Sequence, residues 1–531
     1  MKPEQYIARL EHLETERQNW DDHWQEIAEV VFPRRADFNR SMYKGERKNT
    51  KIVDSTAVIA NELLGAGLHG MLTNPASKWF KLRLTDPRLM EDNSVLLWLE
   101  EVERRIYLSL NTPRAAFSSH MNELYLDMTA FGTGCMFIGE DPKSGDLTFS
   151  TKHLKECYIA EDAQGFIDTV YRKFEFSARQ IVQKWGLDAA DDGVRKAFEK
   201  NEMDKMFTIC HAVQPRTDFD PTLKTRENLP IASVYMLKDT KHMLEIGGFE
   251  EMPWIAPRWA KVSGETYGRG PGVSNLPDIK MLQEMAKTVL KAAQKIVDPP
   301  LLVPDDGALN PVKTLPGGLN FRRAGSDPIT PLQTGGNIPI GLELMNDVRD
   351  RIRSGFFIDQ LQMQQGPQMT ATEVLQRQEE KLRMMGPALG RLQSEMLGPM
   401  VERVFGLLMR RGKFPAAPEV LADAEYDIEY VSPLARAQKQ SDANGLLRVF
   451  EIGSPIIQMQ PDSAQIINGE DTLRWLGDMF GVPNSLFKSK EEMEQIKQQQ
   501  AEAAELQQGL ATAQQGADVL QSAANIGNAK G

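Results

Sequence analysis

Tyr6, Leu10, Leu13, Trp20, Trp24, Ile27 and Val31 recur at steps of three and four along the start of the chain, with Arg17 the one polar break. That spacing predicts an amphipathic helix over 3–32, which Pro33 stops. Two tryptophans on one stripe need a large surface to bury against. A basic loop follows, with Lys44, Arg47, Lys48 and Lys51. Asp54-Ser55-Thr56 is an N-cap cluster that opens a helix over 55–72, where Gly65, Gly67 and Gly70 permit close backbone approach. Two more helices fit 93–111 and 114–131. The period then shortens to two. Cys135–Gly139, Leu147–Thr151, Glu156–Ala160 and Phe166–Phe176 read as strands of an antiparallel sheet. Short helices at 178–186 and 192–202 interrupt, and strands resume at 206–214, 231–238 and 241–246. The first 270 residues therefore read as an α+β body.

The second half is mainly helical. Residues 264–275, Gly-Glu-Thr-Tyr-Gly-Arg-Gly-Pro-Gly-Val-Ser-Asn, read as a glycine-rich connector and a hinge. A long helix over 277–297 ends at Asp298-Pro299-Pro300. Residues 299–340 carry seven prolines after Pro299 and repeated glycines, which makes a compact β-and-turn insert and excludes a helix. A second helix spans 340–358, and a polar loop runs from Gln360 to Met369. Thr370-Ala371-Thr372-Glu373 is a capping box opening a helical stretch over 371–411, with kinks expected at Gly386-Pro387 and Gly398-Pro399. Gly412 stands where a C-cap glycine belongs. Residues 417–432 return to strand or loop, and helices resume over 434–452 and 462–480. The tail from 488 is rich in Gln, Ala and Glu and is helix-capable, but it cannot build its own core.

Length and composition narrow the class. At about 150 residues per domain, 531 residues imply three or four domains. A hydrophobic fraction of 41% excludes wholesale disorder. The charge, 62 basic against 74 acidic residues, excludes a protein that wraps a duplex tightly over its whole surface. The odd cysteine count (Cys135, Cys157, Cys210) argues against a disulfide framework and for a reducing compartment. No signal peptide is visible, and the apolar runs are too short to span a bilayer. The 25 methionines read as filler in helical cores.

Catalytic and metal motifs are missing. Gly412-Lys413-Phe414 lacks the glycines of a phosphate loop, and Gly268-Arg269-Gly270 lacks a dinucleotide-site context. None of the seven histidines forms a zinc-protease motif, and no Cys/His cluster has zinc spacing. Cys210 and His211 are adjacent on a predicted strand and point to opposite faces. Asp191-Asp192 and Glu379-Glu380 read as solvated acidic pairs. No cofactor is called for, and the chain reads as non-enzymatic.

The informative region is helix, insert, helix over 277–359. At about 100° per residue from Lys280, Lys287, Lys291 and Lys295 fall within roughly 60° of it. Met281, Leu282, Met285, Ala286, Val289, Ala292, Ala293, Ile296 and Val297 share the opposite face. On the second helix Glu343, Asp347, Asp350, Arg351 and Ser354 share one face, and Met345, Val348, Ile352 and Phe356 the other. Two readings stand open: a plain antiparallel pair with solvated faces, or a ring of such pairs lining a channel. A ring multiplies four lysines by the subunit number and so places weak, sequence-blind phosphate contacts along a duplex in an acidic protein.

Several stretches resemble the portal proteins, the head-to-tail connectors of short-tailed phages (podoviruses). They are Asp54-Ser55-Thr56-Ala57, Ala66-Gly67-Leu68-His69-Gly70-Met71-Leu72-Thr73-Asn74-Pro75, Trp79-Phe80, Tyr267-Gly268-Arg269-Gly270 with Leu276-Pro277-Asp278, Asp298-Pro299-Pro300, Pro316-Gly317-Gly318, Gln368-Met369-Thr370-Ala371-Thr372-Glu373-Val374, and Tyr430-Val431-Ser432-Pro433-Leu434-Ala435-Arg436-Ala437-Gln438. The resemblance covers about 1–480. Gly270-Pro271-Gly272 departs from the family's pattern, which implies altered flexibility at the hinge.

The resemblance implies a mainly helical α+β portal fold assembling into a ring of twelve with a central tunnel. It divides the chain into wing (1–276), stem helices (277–298 and 340–359), clip (299–339), tunnel loop (360–369), wing return with the long kinked helix (370–432), crown (433–487) and tail (488–531). It implies packaging and ejection of double-stranded DNA. Lys280, Lys287, Lys291 and Lys295 are the candidate tunnel lining, and Gln360, Gln362, Met363, Gln364 and Gln365 the tunnel loop, uncharged so as to touch a moving backbone without holding it. The implied partners are further copies of the chain, the terminase large subunit, scaffolding and major capsid proteins, a tail adaptor, and internal core proteins at the crown; no membrane is implied. The implied location is the capsid portal vertex, with assembly in the host cytoplasm. A tail-adaptor ring without a packaging role is the alternative, and an enzyme using dispersed carboxylates is a more distant one.

Overall fold

The computed structural model describes residues 2–40, 45–75, 78–84, 86, 88–89, 92–223, 225–303, 305, 311–321, 323–332, 338–361, 385–421, 428–430, 445–455, 468–480, 482, 486–488, 492–500 and 502–503. In chain order the elements begin with α1 (Pro3–Val30), α2 (Thr56–Leu72), β1 (Leu82–Leu84), α3 (Asn93–Leu110) and α4 (Phe117–Phe131). Next come β2 (Cys135–Glu140), β3 (Leu147–Lys152), β4 (Cys157–Glu161) and β5 (Ile167–Ser177). Helices α5 (Ala178–Trp185) and α6 (Asp192–Glu199) precede β6 (Met206–Pro215), β7 (Ile231–Leu237), β8 (Met243–Phe249) and β9 (Trp254–Ile255). A one-turn helix, α7 (Pro271–Ser274), leads into α8 (Leu276–Val297). The insert contributes β10 (Leu301–Leu302) and β11 (Thr330–Pro331), and α9 (Ile338–Gly355) and α10 (Ile358–Leu361) follow. The class is α+β, and nearly every predicted element before residue 300 is present with ends shifted by a few residues.

The chain divides into two compact units. The first holds Met1–Phe80 and Ile106–Lys413, the second Lys81–Arg105 and Phe414–Gly531. In the first, β4-β5-β6-β7-β8 form an antiparallel sheet, and β3-β2-β9 form a smaller one. Strand alternation gives the large sheet two buried faces. Tyr6, Ile7, Leu10 and Leu13 of α1 cover Tyr158, Tyr171, Cys210 and Val234 on one face. Ile181 and Val194 of α5 and α6 cover Phe174, Ile209 and Leu237 on the other. Cys210 and His211 do point to opposite faces, and both are buried. Asp191 is not a solvated acid: its carboxylate accepts from the Val194 N–H at 2.8 Å and caps α6. Glu379 and Glu380 lie outside the described residues.

The polar break in α1 is structural. Arg17 is buried, and its Nη atoms donate to the carbonyls of Leu154, Lys155 and Cys157 at 2.6–2.9 Å. Its guanidinium lies 3.8 Å from the Tyr158 ring centre. The two tryptophans of the stripe find their surface in Tyr267, at 5.9 Å from Trp20 and 5.0 Å from Trp24.

The glycine-rich connector is a packing device rather than a hinge. A Cβ on Gly270 would lie 2.7 Å from the Met128 carbonyl and 2.9 Å from the Gly132 nitrogen. The segment therefore runs backbone against backbone along the end of α4, where Gly132 closes the helix at φ +87°. Beside it Arg258, fully buried, pairs with Glu161 and Glu395 and donates to the carbonyls of Gly165 and Thr266.

The kink expected at Gly398-Pro399 takes the form of a π-turn over Gln393–Leu397, between helices Gly386–Leu392 and Gly398–Arg410. Pro399 has no N–H to give the carbonyl four residues back, and the widened turn absorbs that deficit. The capping box and residues 371–384 of the predicted helix lie outside the described residues. In the second unit β1 pairs with Ile428–Tyr430, and Glu103 accepts from the Leu82 N–H at 2.7 Å. Residues 445–455 are helical, three residues past the predicted end at 452, Gly469–Phe480 is helical within its predicted range, and 492–500 of the tail are helical too. Among the described residues no helix is long and apolar enough to cross a membrane.

Candidate functional site: the helix pair and its insert

Helices α8 and α9 pair antiparallel. Gly341 lets them close: a Cβ there would stand 3.0 Å from Val289 Cγ2. The second helix keeps its predicted faces, with Met345, Val348, Ile352 and Phe356 buried and Glu343, Asp347, Asp350, Arg351 and Ser354 exposed, apart from its end. It stops at Gly355 rather than running to 358 or 359. Phe357 takes φ +59°, a left-handed conformation costly for an aromatic residue, and its ring packs 5.9 Å from Trp259. Helix α10 then restarts at Ile358, because Phe356 and Ile358 are both buried and one continuous helix would separate them by about 200°.

The first helix departs from its predicted faces. Its buried residues are Leu276, Ile279, Leu282, Gln283 and Ala286, a stripe turned away from the centre of the apolar face. Met281, Ile296 and Val297, assigned to that face, are exposed. The displaced stripe follows from Gln283, the one polar residue in it. Its Oε1 accepts from the Val53 and Asp54 N–H groups at 2.7 and 2.9 Å, and its Nε2 donates to the Asp54 carbonyl at 2.7 Å. A buried amide is stable only with its bonds made, so this clamp fixes the helix rotation.

The clamp reaches α9 as well. Arg349 donates to Asp54 Oδ2 through Nε at 3.0 Å and Nη2 at 2.7 Å. Asp54 Oδ1 accepts from the Thr56 N–H at 2.9 Å, so the residue before the N-cap Ser55, which makes no side-chain cap bond, satisfies the first free N–H of α2. Burial pushes the Asp54 carboxyl up, but Thr56 and the Arg349 guanidinium outweigh it and hold it below the usual carboxylate range. Both helices of the pair are therefore rooted on one acidic residue. Sequence reasoning passed over Gln283 and Arg349; the signal was an amide inside an apolar stripe.

The four lysines do share the exposed side of α8, but their surroundings differ. Lys280 pairs with Glu26 of α1 at 2.6 Å. Lys287 lies 3.6 Å from Glu284, both exposed. Lys291 and Lys295 are exposed and make no ion pair among the described residues. Gln360 belongs to α10 rather than to a loop, while Gln362, Met363, Gln364 and Gln365 lie outside the described residues. In the insert β10 and β11 pair antiparallel, and Asn320 closes a turn on Lys313 with bonds of 2.6 and 2.8 Å. From 287 to 344 no described residue is buried. Among the described residues no three His, Cys, Asp or Glu side chains gather as a metal site.

Residues 3–487 match the family model described as bacteriophage head to tail connecting protein. The chain is 31% identical over 540 residues to a probable portal protein of Bordetella phage BPP-1, covering 99% of this chain and 96% of that one. It is 30% identical to a portal protein of Salmonella phage epsilon15, covering 97% and 95%. A portal protein of Enterobacteria phage T3 is 21% identical over 65% of this chain and 64% of its own.

Proposed function

The chain belongs to the bacteriophage head to tail connecting protein family, and from that premise we propose that it works as the portal of a short-tailed phage. Copies form a ring of twelve at one capsid vertex, and double-stranded DNA passes through it during packaging and ejection. The chain is a structural component of the virion and has no catalysis of its own; a separate terminase large subunit supplies the energy. Assembly takes place in the host cytoplasm with scaffolding and major capsid proteins.

The observation that carries this reading is the exposed apolar arm. Leu301, Leu302, Leu315, Leu319, Phe321 and Leu332 all face water in the lone chain. An exposed apolar region of this kind marks a protein-binding surface. In this reading the insert receives the terminase large subunit and later the tail adaptor, and neighbouring copies cover the helix pair beneath it. Lys291 and Lys295 then face the duplex, touching phosphates weakly and without regard to sequence.

Negative-stain electron microscopy with light scattering on the purified full chain tests this. Rings with a central hole and a mass of twelve chains, or of a neighbouring number, are the expected result. A chain that stays monomeric at high concentration overturns the reading.

A further inference from the structure

We propose that neighbouring copies lock through a ridge on the distal half of α8 and a groove beside its proximal half. The groove is open and lined by Met281 and Met285 of α8 and Leu344 and Val348 of α9, with Asp347, Asp350 and Arg351 on its wall. Met281 and Leu344 are exposed in the single copy. The ridge is Leu290, 53% exposed, continued by Val297, 86% exposed, with Lys287 one turn before Leu290. On the wall Asp350 pairs with Arg353 and Arg351 with Asp278, which leaves Asp347 with no ion pair among the described residues, so an apolar knob flanked by Lys287 matches an apolar hole flanked by Asp347.

The occupant of the groove is a second copy of this chain, a choice that rests on the ring reading above and on this match of shape and charge. At about 100° per residue, ridge and groove lie on roughly opposite sides of α8. A contact between two different surfaces is heterologous, and when its rotation closes it makes a ring. Leu290 stands about seven residues past the middle of the groove, roughly 10 Å along the helix, so adjacent pairs engage only when inclined to one another. Lys291 and Lys295 fall on the face left open between ridge and groove, opposite α9.

Cross-linking in the full chain tests the contact. The native cysteines are all buried, so introduced thiols react alone. Under oxidation L290C/L344C is expected to give a ladder of multimers on a denaturing gel, while L290C and L344C singly give none. K287D is expected to cut the assembled fraction at least tenfold, and K287D/D347K to restore it. A variant that assembles to the mass of the unmodified chain but forms no ladder overturns the contact and leaves the ring reading standing. So does a product no larger than a dimer in an assembled sample. An unmodified chain that never exceeds monomer mass removes the ring reading and this contact together.

Discussion

Arg17, Arg258 and His211 are polar side chains taken almost wholly out of water, and each is held by its partners. The two arginines direct their donors to backbone carbonyls and carboxylates, so they join segments far apart in sequence. His211 differs because it can lose its charge. It bonds Ser233 Oγ at 3.0 Å and stacks on Tyr235 with ring centres 3.8 Å apart. Burial, helped by Lys184 and Arg172, drives its pKa well below the ordinary histidine value. In the unfolded chain that value is about 6.5. Below it the unfolded chain takes up a proton that the folded chain refuses. Stability present at neutral pH is therefore lost as pH falls, by up to about 1.4 kcal/mol per pH unit. His211→Phe keeps the stack and removes the proton. Denaturation midpoints between pH 7 and 5 should then fall less steeply than in the unmodified chain, by one proton's worth. His69, also held low by burial, keeps part of the slope. An identical slope would mean that folded His211 protonates.

Periodicity made most elements legible, because burial on one face imposes a period of two or 3.6 on the sequence itself. The strands from Cys135 to Phe249 and the helices α1, α2 and α9 follow that rule. What periodicity could not reveal depends on partners distant in the chain. Gln283 fixes the rotation of α8 only because residues 53 and 54 lie beside it. The break at Gly355 needs Trp259 and the burial of Ile358. The connector around Gly270 reads as a hinge in sequence for the same reason: glycine permits flexibility, but it also permits close packing, and sequence does not distinguish them. Two substitutions separate those roles. Gly270→Ala drives a methyl into the end of α4 and should lower stability by about 1–3 kcal/mol. Gly390→Ala lies inside helix Gly386–Leu392 with nothing within 4 Å of the new carbon, and should raise stability by about 0.5–1 kcal/mol. Thermal melts of the two variants should move in opposite directions; a Gly270→Ala protein as stable as the parent would restore the hinge.

A net charge of -12 keeps the chain from condensing on DNA along its whole surface, which suits a protein that must let a duplex slide. In the proposed ring, whatever grip exists comes from a few cations repeated around its copies. Two of the four stripe lysines have other work in the proposals above: Lys280 holds α1 through Glu26, and Lys287 flanks the ridge. Lys291 and Lys295 remain for the duplex. K291Q/K295Q should therefore assemble normally, since neither side chain belongs to the ridge or the groove. Its retention of duplex DNA should depend less on salt. Removing one lysine–phosphate pairing flattens the slope of log affinity against log salt by roughly 0.9. A ring summed over its copies turns a weak attraction per subunit into a measurable change, readable by titrating assembled rings with linear duplex at low and high ionic strength. Normal rings with an unaltered slope would take both lysines out of the channel, and the open face of α8 would then point outward. A failure to assemble would instead place them in the contact between copies, and would move the boundary of the ridge from Lys287 to Lys295.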